Sequence, residues 1–325
     1  MENKLQPLVD ALQLGKKAVF FLGAGVSTSC KIPDFRSPKT GLYAQLERLR
    51  LPYPEAVFDI DYFRRNPKAF YALCKELYPG KIFPSAFHFL LRLLQEKGLL
   101  HRVYTQNIDT LEQLAGVDPA KIVAAHGSFA DNHCIDCLER MSPDTLIAQM
   151  DDTTNDGIPT CAKCGGFVKP NIVFYGEGLP MQFFECWEAD SDSIDVAIVA
   201  GTSLTVYPFA GLPAECPKRA LRVLINNEVV GDFKQNRRKS DLVLQKSCDE
   251  AAVLLALQLG WKEELEELIA VEIKKFYARS KRPSPEEKEP KEESMKEKEK
   301  KLSELQQAEQ SDLEHKLEKL ALDES

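Results

Sequence analysis

The chain has 325 residues, of which 44% are hydrophobic and 28% are charged, and its formal net charge at pH 7 is −8. This length and composition can bury a large core, so we expect one large domain with inserts, with two domains and a tail as the alternative. The acidic balance disfavours nucleic acid as the main ligand and permits a basic protein or peptide partner. No stretch of the sequence approaches a membrane span.

Cysteine usage indicates a reducing compartment. The nine cysteines are an odd number, and no apolar run of the signal-peptide type precedes the first predicted strand. Reduced thiols in the cytosol or nucleus therefore fit this sequence better than a disulfide framework. We predict a cytoplasmic protein.

Short apolar runs alternate with helix-like segments along the chain. Helices such as Phe87–Lys97 and Thr110–Leu114 are predicted between several of the runs. This alternation predicts an α/β fold with a Rossmann-like parallel sheet and helices on both faces. The predicted strands, in chain order, are Ala18–Leu22, Arg102–Thr105, Ile122–Ala125, Asp195–Ala200 and Leu221–Ile225.

Two inserts and a tail depart from this alternation. Residues 38–84 are rich in Tyr, Phe, Leu and Pro and predict a small helical insert, whereas residues 127–168 contain four cysteines. We predict a main domain over residues 1–278 and a charged tail over residues 279–325, disordered in its first part. The spacing at the end of the tail permits an amphipathic helix, through Leu302, Leu305, Leu313, Leu317, Leu320 and Leu322.

The second insert contains two cysteine pairs, Cys134-x-x-Cys137 and Cys161-x-x-Cys164. The two-residue gap within each pair lets both thiolates bind one ion, so the spacing predicts a Zn²⁺ module over residues 127–168. Four unrelated buried cysteines are the alternative. A zinc ion held by four thiolates has no open position for water, so its role would be structural.

Glycine and polar residues follow each predicted strand. Because ligands bind at the carboxyl ends of the strands in an open parallel sheet, these residues are candidates for a binding site. Glycines and hydroxyls suit a pyrophosphate, and asparagine and glutamate suit ribose hydroxyls, so the predicted ligand is a nucleotide. In chain order the sets are Gly23-Ala24-Gly25-Val26-Ser27-Thr28, Gln106-Asn107-Ile108-Asp109, His126-Gly127, Gly201-Thr202-Ser203 and Asn226-Asn227-Glu228.

The first of these sets is a weak signal by itself. Thr28 replaces the third glycine of the dinucleotide fingerprint, and no acidic residue ends a following strand at the usual distance. A plain hydride-transfer enzyme is therefore disfavoured.

His126 is the candidate general base, because it follows a predicted strand and can change its protonation near neutral pH. Asn107 and Asp109 lie at another strand end, where burial without a ligand or fixed hydrogen bonds would be costly. A structural histidine and a turn cap are the respective alternatives.

Several motifs occur in a fixed order along the chain: Gly23-Ala24-Gly25-Val26-Ser27, Ile32-Pro33-Asp34-Phe35-Arg36-Ser37-Pro38, Tyr104-Thr105-Gln106-Asn107-Ile108-Asp109, His126-Gly127-Ser128, the cysteine pairs, Val168-Lys169-Pro170, Gly176-Glu177 and Gly201-Thr202-Ser203. Together they resemble the sirtuins, which are NAD-dependent protein lysine deacylases. The resemblance covers about residues 16–262 and makes residues 1–278 the catalytic domain. Segments such as Leu51–Phe58 and Gly260-Trp261 are most similar to the cytoplasmic fungal sirtuins of class I.

The resemblance implies a reaction that consumes NAD and a fold that holds one structural zinc ion. Nicotinamide leaves as the acyl oxygen of a modified lysine attacks the ribose, and His126 then acts as general base on a ribose hydroxyl. The products are free lysine, nicotinamide and O-acyl-ADP-ribose. Implied substrates are acetylated histone tails and other acetylated proteins, with histone deacetylation and gene silencing as the implied context.

The resemblance also assigns roles to individual residues. Asn107 and Asp109 join His126 as catalytic residues, and the peptide pairs by strand addition between Gly176-Glu177-Gly178 and Val206–Phe209. Val173, Phe174 and Ile108 line an apolar tunnel for the acyl-lysine. The implied cofactor contacts are Gly23, Ala24, Gly25, Val26, Ser27, Thr28, Asp34, Phe35, Arg36, Gln106, Asn107, Ile108, Asp109, Gly201, Thr202, Ser203, Asn226, Asn227, Glu228 and Cys248.

Four positions depart from the pattern of the family, one of them Tyr175, which replaces a common phenylalanine. Lys31 stands where most members carry glycine, and a positive φ there would add strain of about 1 kcal/mol to a loop that closes over NAD. Thr110 replaces a frequent glycine, and Asn171 replaces a common aspartate. None of these changes removes a catalytic group.

Other functions stay open. ADP-ribosyl transfer to protein would use the same NAD site, and a non-enzymatic NAD or acyl-lysine sensor would bind without releasing nicotinamide. The leucines Leu313, Leu317, Leu320 and Leu322 fit a nuclear export signal with nuclear shuttling, an ordinary amphipathic helix, or a segment that folds back and competes with NAD or peptide. Homo-oligomer formation also stays open.

Overall fold

The computed structural model describes residues 4–32, 51–77 and 82–280. Asp34, Phe35, Arg36 and the predicted tail after residue 280 lie outside the described residues. The chain divides into two compact units, residues 1–265 and 266–325, and the first contains all the strands described below. Among the described residues, no helix combines the length and apolar character that a bilayer crossing requires.

A six-stranded parallel sheet forms the centre of the first unit, in the order β3-β2-β1-β7-β8-β9. It confirms the predicted parallel sheet, and each of the five predicted strands is present. The sixth strand, Leu242–Leu244, was not predicted, because its three half-buried residues show no hydrophobic period. The strands are β1 Ala18–Leu22, β2 Leu100–Thr105, β3 Ile122–Ala124, β7 Val196–Ala200, β8 Leu221–Ile225 and β9 Leu242–Leu244.

The sheet is buried on both faces, which explains why β1 and β7 are continuous apolar runs without alternating polar residues. Phe20 belongs to a core on one face and contacts Phe87, with ring centroids 6.1 Å apart. The next residue, Phe21, points to the opposite core and stacks on Tyr104 at 5.7 Å. Side chains alternate across a strand, so adjacent phenylalanines anchor two separate layers.

Helices cover both faces of the sheet, as predicted. One core includes residues of α1 Gln6–Gln13, α4 Ala86–Glu96 and α10 Cys248–Gln258. The opposite core includes residues of α7 Met181–Asp190, α8 Leu212–Glu215 and α9 Asp232–Gln235. The short helix α5 Leu111–Leu114 follows β2, and α11 Lys262–Ser280 ends the described residues.

The two predicted inserts form one lobe. Helices α2 Ile60–Arg65 and α3 Pro67–Leu77 come from the first insert. The second contains β4 Gly127–Cys134, β5 Arg140–Met141 and α6 Pro143–Asp151, and the strand β6 Val168–Ile172 completes an antiparallel sheet in the order β5-β4-β6.

A shared apolar core joins these inserts. Phe63 and Phe70 of the helical insert belong to the same buried cluster as Phe129, Leu146 and Cys161 of the cysteine-containing insert. Exposed ion pairs lie across the same junction, including Arg64 with Asp136 at 2.6 Å and Lys68 with Asp156 at 2.7 Å. The contacts could not be predicted, because the two inserts are separated in sequence by two helices and two strands.

Lys31 adopts a left-handed conformation, with φ 65° and ψ 18°. Thr110, the other residue that replaces a frequent glycine, has φ 63°. The condition for strain at position 31, a positive φ, is therefore met. Since a Cβ atom is disfavoured in this region, each position carries local strain.

Replacing Lys31 with glycine is expected to raise the free energy of unfolding by about 0.5–1 kcal/mol, because glycine adopts this conformation without a steric penalty. The matched control is Lys31→Ala, which removes the charge but keeps the Cβ atom and should leave stability close to that of the wild type. Urea denaturation of the three proteins measures the effect. Equal stabilisation by glycine and alanine would show that the charge, and not φ, is responsible.

Candidate active site

A cavity of about 850 Å³ lies at the carboxyl ends of the parallel strands. This volume falls within the range of roughly 300–1,000 Å³ that is typical of ligand sites. Residues that directly follow β1, β2, β7 and β8 line it, as expected for an open parallel sheet. The predicted residues on its wall are Gly23, Ala24, Gly25, Thr28, Gln106, Asn107, Ile108, His126, Val173, Phe174, Gly176, Glu177, Gly201, Thr202, Ser203, Asn226, Asn227, Glu228 and Cys248.

Three predicted residues lie elsewhere. Val26 and Ser27 are 1% exposed and do not line the cavity. Asp109 is also absent from the wall, and its carboxylate accepts a hydrogen bond from the Ser27 hydroxyl at 2.7 Å. Val26, Ser27 and Asp109 therefore lie behind the residues that line the cavity.

Sequence reasoning missed several wall residues. Phe58 comes from the helical insert, and its approach to the sheet depends on the tertiary contacts of the lobe. Lys246 and Ser247 follow β9, so recognition of that strand would have identified them by the same strand-end rule. Ile172, Tyr175, Leu179 and Val230 complete the missed set.

Two glycine turns meet at the centre of this wall. Gly25 donates its N–H to the carbonyl of Gly201 at 2.7 Å. A Cβ atom on Gly25 would lie 2.6 Å from the Cα atom of Gly201, and one on Gly201 would lie 2.5 Å from the Val26 nitrogen. Only glycine fits at both positions without displacing backbone. The turn after β1 is therefore held directly against the turn after β7.

Buried amide groups hold the strand ends in register. The Asn107 side chain is 6% exposed, and its Nδ2 donates to the carbonyl of Gly23 at 3.2 Å. Nε2 of Gln106 donates to the Thr202 hydroxyl at 2.8 Å. Asn107 and Gln106 thus link β2 to the glycine turns on either side of the site.

His126 sits between β3 and β4, half-buried on the cavity wall. Its Nδ1 lies 3.0 Å from the carbonyl oxygen of Gln106. Because a carbonyl oxygen only accepts, Nδ1 carries the hydrogen and Nε2 of the neutral ring carries the lone pair. The backbone carbonyl of His126 accepts from Val173 N at 2.9 Å, so the backbone of His126 is held beside Val173 of the predicted acyl-lysine tunnel.

A second carboxyl group, which sequence reasoning missed, lies behind the wall. Glu112 is 1% exposed, and among the described residues its Oε1 has no hydrogen-bond partner. Burial, together with the charge of Asp109, raises the pKa of Glu112 to about 8, although a hydrogen bond with Thr105 opposes the shift. Burial also raises the pKa of Asp109, which accepts hydrogen bonds from Leu111 N and Ser27. A pKa of about 8 keeps most of the Glu112 carboxyl groups protonated at pH 7.

The stability of the protein should depend on the titration of Glu112. The folded state keeps this proton up to about pH 8, whereas the unfolded chain loses it near the ordinary value of 4.5. The folded state binds more protons between these values, so the free energy of unfolding falls as pH rises through the window. Each pH unit contributes up to about 1.4 kcal/mol.

Glu112→Gln keeps a neutral side chain of the same shape, so its stability relative to the wild type should increase from pH 5 to pH 8. Urea denaturation of both proteins at several pH values measures the difference. Glu96→Gln is the control, because Glu96 is half-exposed and pairs with Arg92 at 2.8 Å. If the wild-type and Glu112→Gln curves are parallel, Glu112 is already ionised at neutral pH.

The four predicted metal ligands converge. The Sγ atoms of Cys134, Cys137, Cys161 and Cys164 all lie within 4.8 Å of one another. Neighbouring sulfur pairs are 3.3–3.6 Å apart. A tetrahedral zinc site with Zn–S bonds of about 2.3 Å places its sulfurs roughly 3.8 Å apart, so the cluster fits one Zn²⁺ ion after a small expansion. Backbone N–H groups of Asp136 and Lys163 point at two of the sulfurs, as suits thiolates.

The cavity also fits NAD by the chemistry of its wall. The two glycine turns expose backbone for a pyrophosphate, and the hydroxyls of Thr28, Thr202 and Ser203 lie nearby on the same wall. Asn226, Asn227 and Glu228 provide amides and a carboxylate for ribose hydroxyls.

Comparison with known proteins agrees with this geometry. The model of the Sir2 family matches residues 23–208. The chain is similar to the NAD-dependent protein deacetylase HST2 of Candida albicans, with 55% identity over 276 residues that cover 85% of this chain and 82% of the relative. It is also similar to the NAD-dependent protein deacetylase hst2 of Schizosaccharomyces pombe, with 50% identity and coverage of 78% and 75%.

A vertebrate relative gives the same result. The NAD-dependent protein deacetylase sirtuin-2 of Danio rerio is 44% identical over 271 residues, which cover 78% of this chain and 71% of the relative. The family model alone spans more than half of the 325 residues, and the similarity to the relatives extends well beyond it. The chain belongs to the Sir2 family.

Proposed function

We propose that the chain removes acetyl groups from lysine side chains of proteins and consumes one NAD for each group removed. The chain is an NAD-dependent protein deacetylase, its substrates are acetylated proteins, and its cofactors are NAD and one structural Zn²⁺. The observation that supports the mechanism is the hydrogen bond of His126: its Nδ1 donates to the carbonyl of Gln106, so the neutral ring carries its lone pair on Nε2, as a general base requires.

The residues around the nicotinamide end of the cavity have proposed roles in the reaction. When bound, NAD supplies the ribose carbon from which nicotinamide leaves. Asn107, held by Gly23, and Asp109, held by Ser27, shape the end of the cavity that receives nicotinamide. His126 takes a proton from a ribose hydroxyl, since its ring is oriented before substrate arrives.

The acyl-lysine is proposed to enter beside Val173 and Phe174, with Ile108 opposite. Phe174 is 1% exposed and Ile108 is 8% exposed, and both line the cavity, so this part of the site is apolar and excludes water. A tunnel of this composition favours uncharged acyl groups.

The peptide backbone is proposed to pair between Gly176-Glu177-Gly178 and Val206–Phe209. Residues of both segments line the cavity, including Glu177 and Tyr207. Recognition through main-chain hydrogen bonds depends little on sequence, so histone tails and other acetylated proteins are both candidate substrates. Tyr207 is 75% exposed and could contact side chains that flank the acetyl-lysine.

The test uses the full chain, NAD and an acetyl-lysine peptide. We expect nicotinamide, free lysine and O-acetyl-ADP-ribose in equal amounts, and no release of nicotinamide without acetylated peptide. NAD labelled in its adenine half tests the alternative, protein ADP-ribosyl transfer, because label on protein without deacetylation would favour that reaction. Binding of NAD without nicotinamide release would contradict both.

We also infer a cytoplasmic location with nuclear shuttling, on the basis of the unpaired cysteines and the leucine spacing between Leu313 and Leu322. Contact of the tail with the catalytic domain and formation of a homo-oligomer stay predictions. Microscopy of the tagged chain, with and without residues 279–325, tests the location.

A further inference from the structure

Lys169 is a charged residue in an almost fully buried position. It lies on β6, beside the cavity, with 1% of its surface exposed. Its Nζ lies 3.0 Å from Oε2 of Glu177 and donates to the carbonyl of Ile172 at 2.7 Å. The same ammonium lies 4.4 Å from the centroid of the Phe174 ring. Burial lowers the pKa of Lys169, and the carboxylate of Glu177 opposes that shift.

All of these contacts of Lys169 are with one short segment of the chain, residues 172–177. Oε2 of Glu177 accepts from Phe174 N at 2.8 Å, and Glu177 N donates to the Phe174 carbonyl at 2.9 Å. Glu177 therefore closes the segment 174–177 on itself, and Lys169 attaches the closed segment to β6. Since Glu177 is 25% exposed at its side chain, the partner of the lysine faces the cavity side while the lysine does not.

The segment borders the candidate base. Val173 N donates to the His126 carbonyl at 2.9 Å, one residue before Phe174. The Phe174 ring packs on Phe58, Phe63 and Phe70, with centroids 4.9–5.9 Å apart. Hydrophobic packing fixes one side of Phe174, but packing has little directional preference. The direction of the backbone at residues 174–177 is set by hydrogen bonds and by the buried ion pair.

We propose that Lys169 is a positioning residue for the acyl-lysine substrate: with Glu177 it holds residues 173–177 in the conformation that receives the acyl-lysine and its peptide. This inference rests on the proposed deacetylase function. Lys169 does not touch the reacting atoms, and it acts through Glu177 and Phe174. Its contacts are with Ile172, Phe174 and Glu177, beside the proposed acyl-lysine tunnel, and not with the glycine turns. NAD binding should therefore be affected little.

The test compares Lys169→Met, Glu177→Gln and the double variant with the wild type. Lys169→Met keeps the apolar stem and removes the charge. We expect the KM for acetyl-peptide to rise about tenfold or more, with the KM for NAD within about twofold of the wild type. Lys68→Met is the matched control, because Lys68 lies 2.7 Å from Asp156 in a pair that is 58% and 67% exposed. It should change neither constant.

The double variant separates positioning from simple damage. Glu177→Gln leaves a buried ammonium without its carboxylate and should be the most impaired protein, whereas the double variant removes both charges and should recover part of its peptide affinity. Hydrogen exchange at the Phe174 amide should increase in Lys169→Met, even if activity is low. Equal rises in both KM values, or an unchanged peptide KM in an active enzyme, would overturn the proposal.

The wild-type assay distinguishes failure of the proposed deacetylase function from failure of the positioning role of Lys169. If the wild type does not deacetylate the peptide, the proposed function fails, and the exchange measurement alone then decides whether Lys169 holds the segment. If the wild type is active and Lys169→Met matches it in peptide KM, only the positioning role fails.

Discussion

His126→Ala is expected to lower kcat for deacetylation by about 100- to 10,000-fold, the usual contribution of a positioned general base. In the structure Nδ1 of the ring donates to the carbonyl of Gln106, which places the lone pair of the neutral ring on Nε2. Alanine removes the base but leaves the glycine turns and the Asn107 contacts unchanged, so the KM for NAD should change little. Steady-state kinetics with measurement of nicotinamide release gives both constants.

The control for this prediction is His101→Ala. His101 lies near the start of β2, at the opposite end of the strand from the cavity, and pairs with Asp190 at 3.0 Å. Its loss can affect stability but should leave kcat close to the wild-type value. A His126→Ala protein that is folded, binds NAD and deacetylates at the normal rate would show that another group accepts the proton.

Cys161→Ser is expected to lower the melting temperature by about 10 °C or more, since the loss of about 4 kcal/mol corresponds to roughly 2–4 °C per kcal/mol in a chain of this size. Cys161 is 6% exposed and belongs to the same buried cluster as Phe63, Leu146 and Phe174. Loss of the metal should therefore destabilise this cluster, which contains Phe174 of the proposed acyl-lysine tunnel, and so reduce activity indirectly. Zinc content, melting temperature and activity are measured on the same preparation.

Cys186→Ser is the matched control, because Cys186 lies on α7, outside the cysteine cluster, and is only partly buried. It should retain zinc and activity. Chelation that abolished deacetylation without changing the melting curve would contradict a structural role for the metal and would place it in the reaction.

Much of the site is predictable because its residues follow recognisable strands. Gly23, Gln106 and Gly201 each come directly after a predicted strand, and the rule for parallel sheets then brings them together. The paired cysteines are predictable for a similar reason, since short spacing within each pair limits where the sulfur atoms can lie.

The rest depends on contacts that are distant in sequence. Phe58 reaches the cavity only because the two inserts share a core, and no local pattern indicates which inserts pack together. A glutamate in a short helix is expected to be exposed, yet Glu112 is buried near Thr105 and Asp109. Lys246 was missed because β9 has three half-buried residues and no hydrophobic period to detect.

The position of His126 has a consequence for motion. The chain leaves the main sheet at His126 and returns at Val173. The hydrogen bond between these two residues joins the points where the cysteine-containing insert begins and ends. A shift of this insert relative to the sheet would therefore carry both crossings together, because the hydrogen bond couples the base to the tunnel residue Val173.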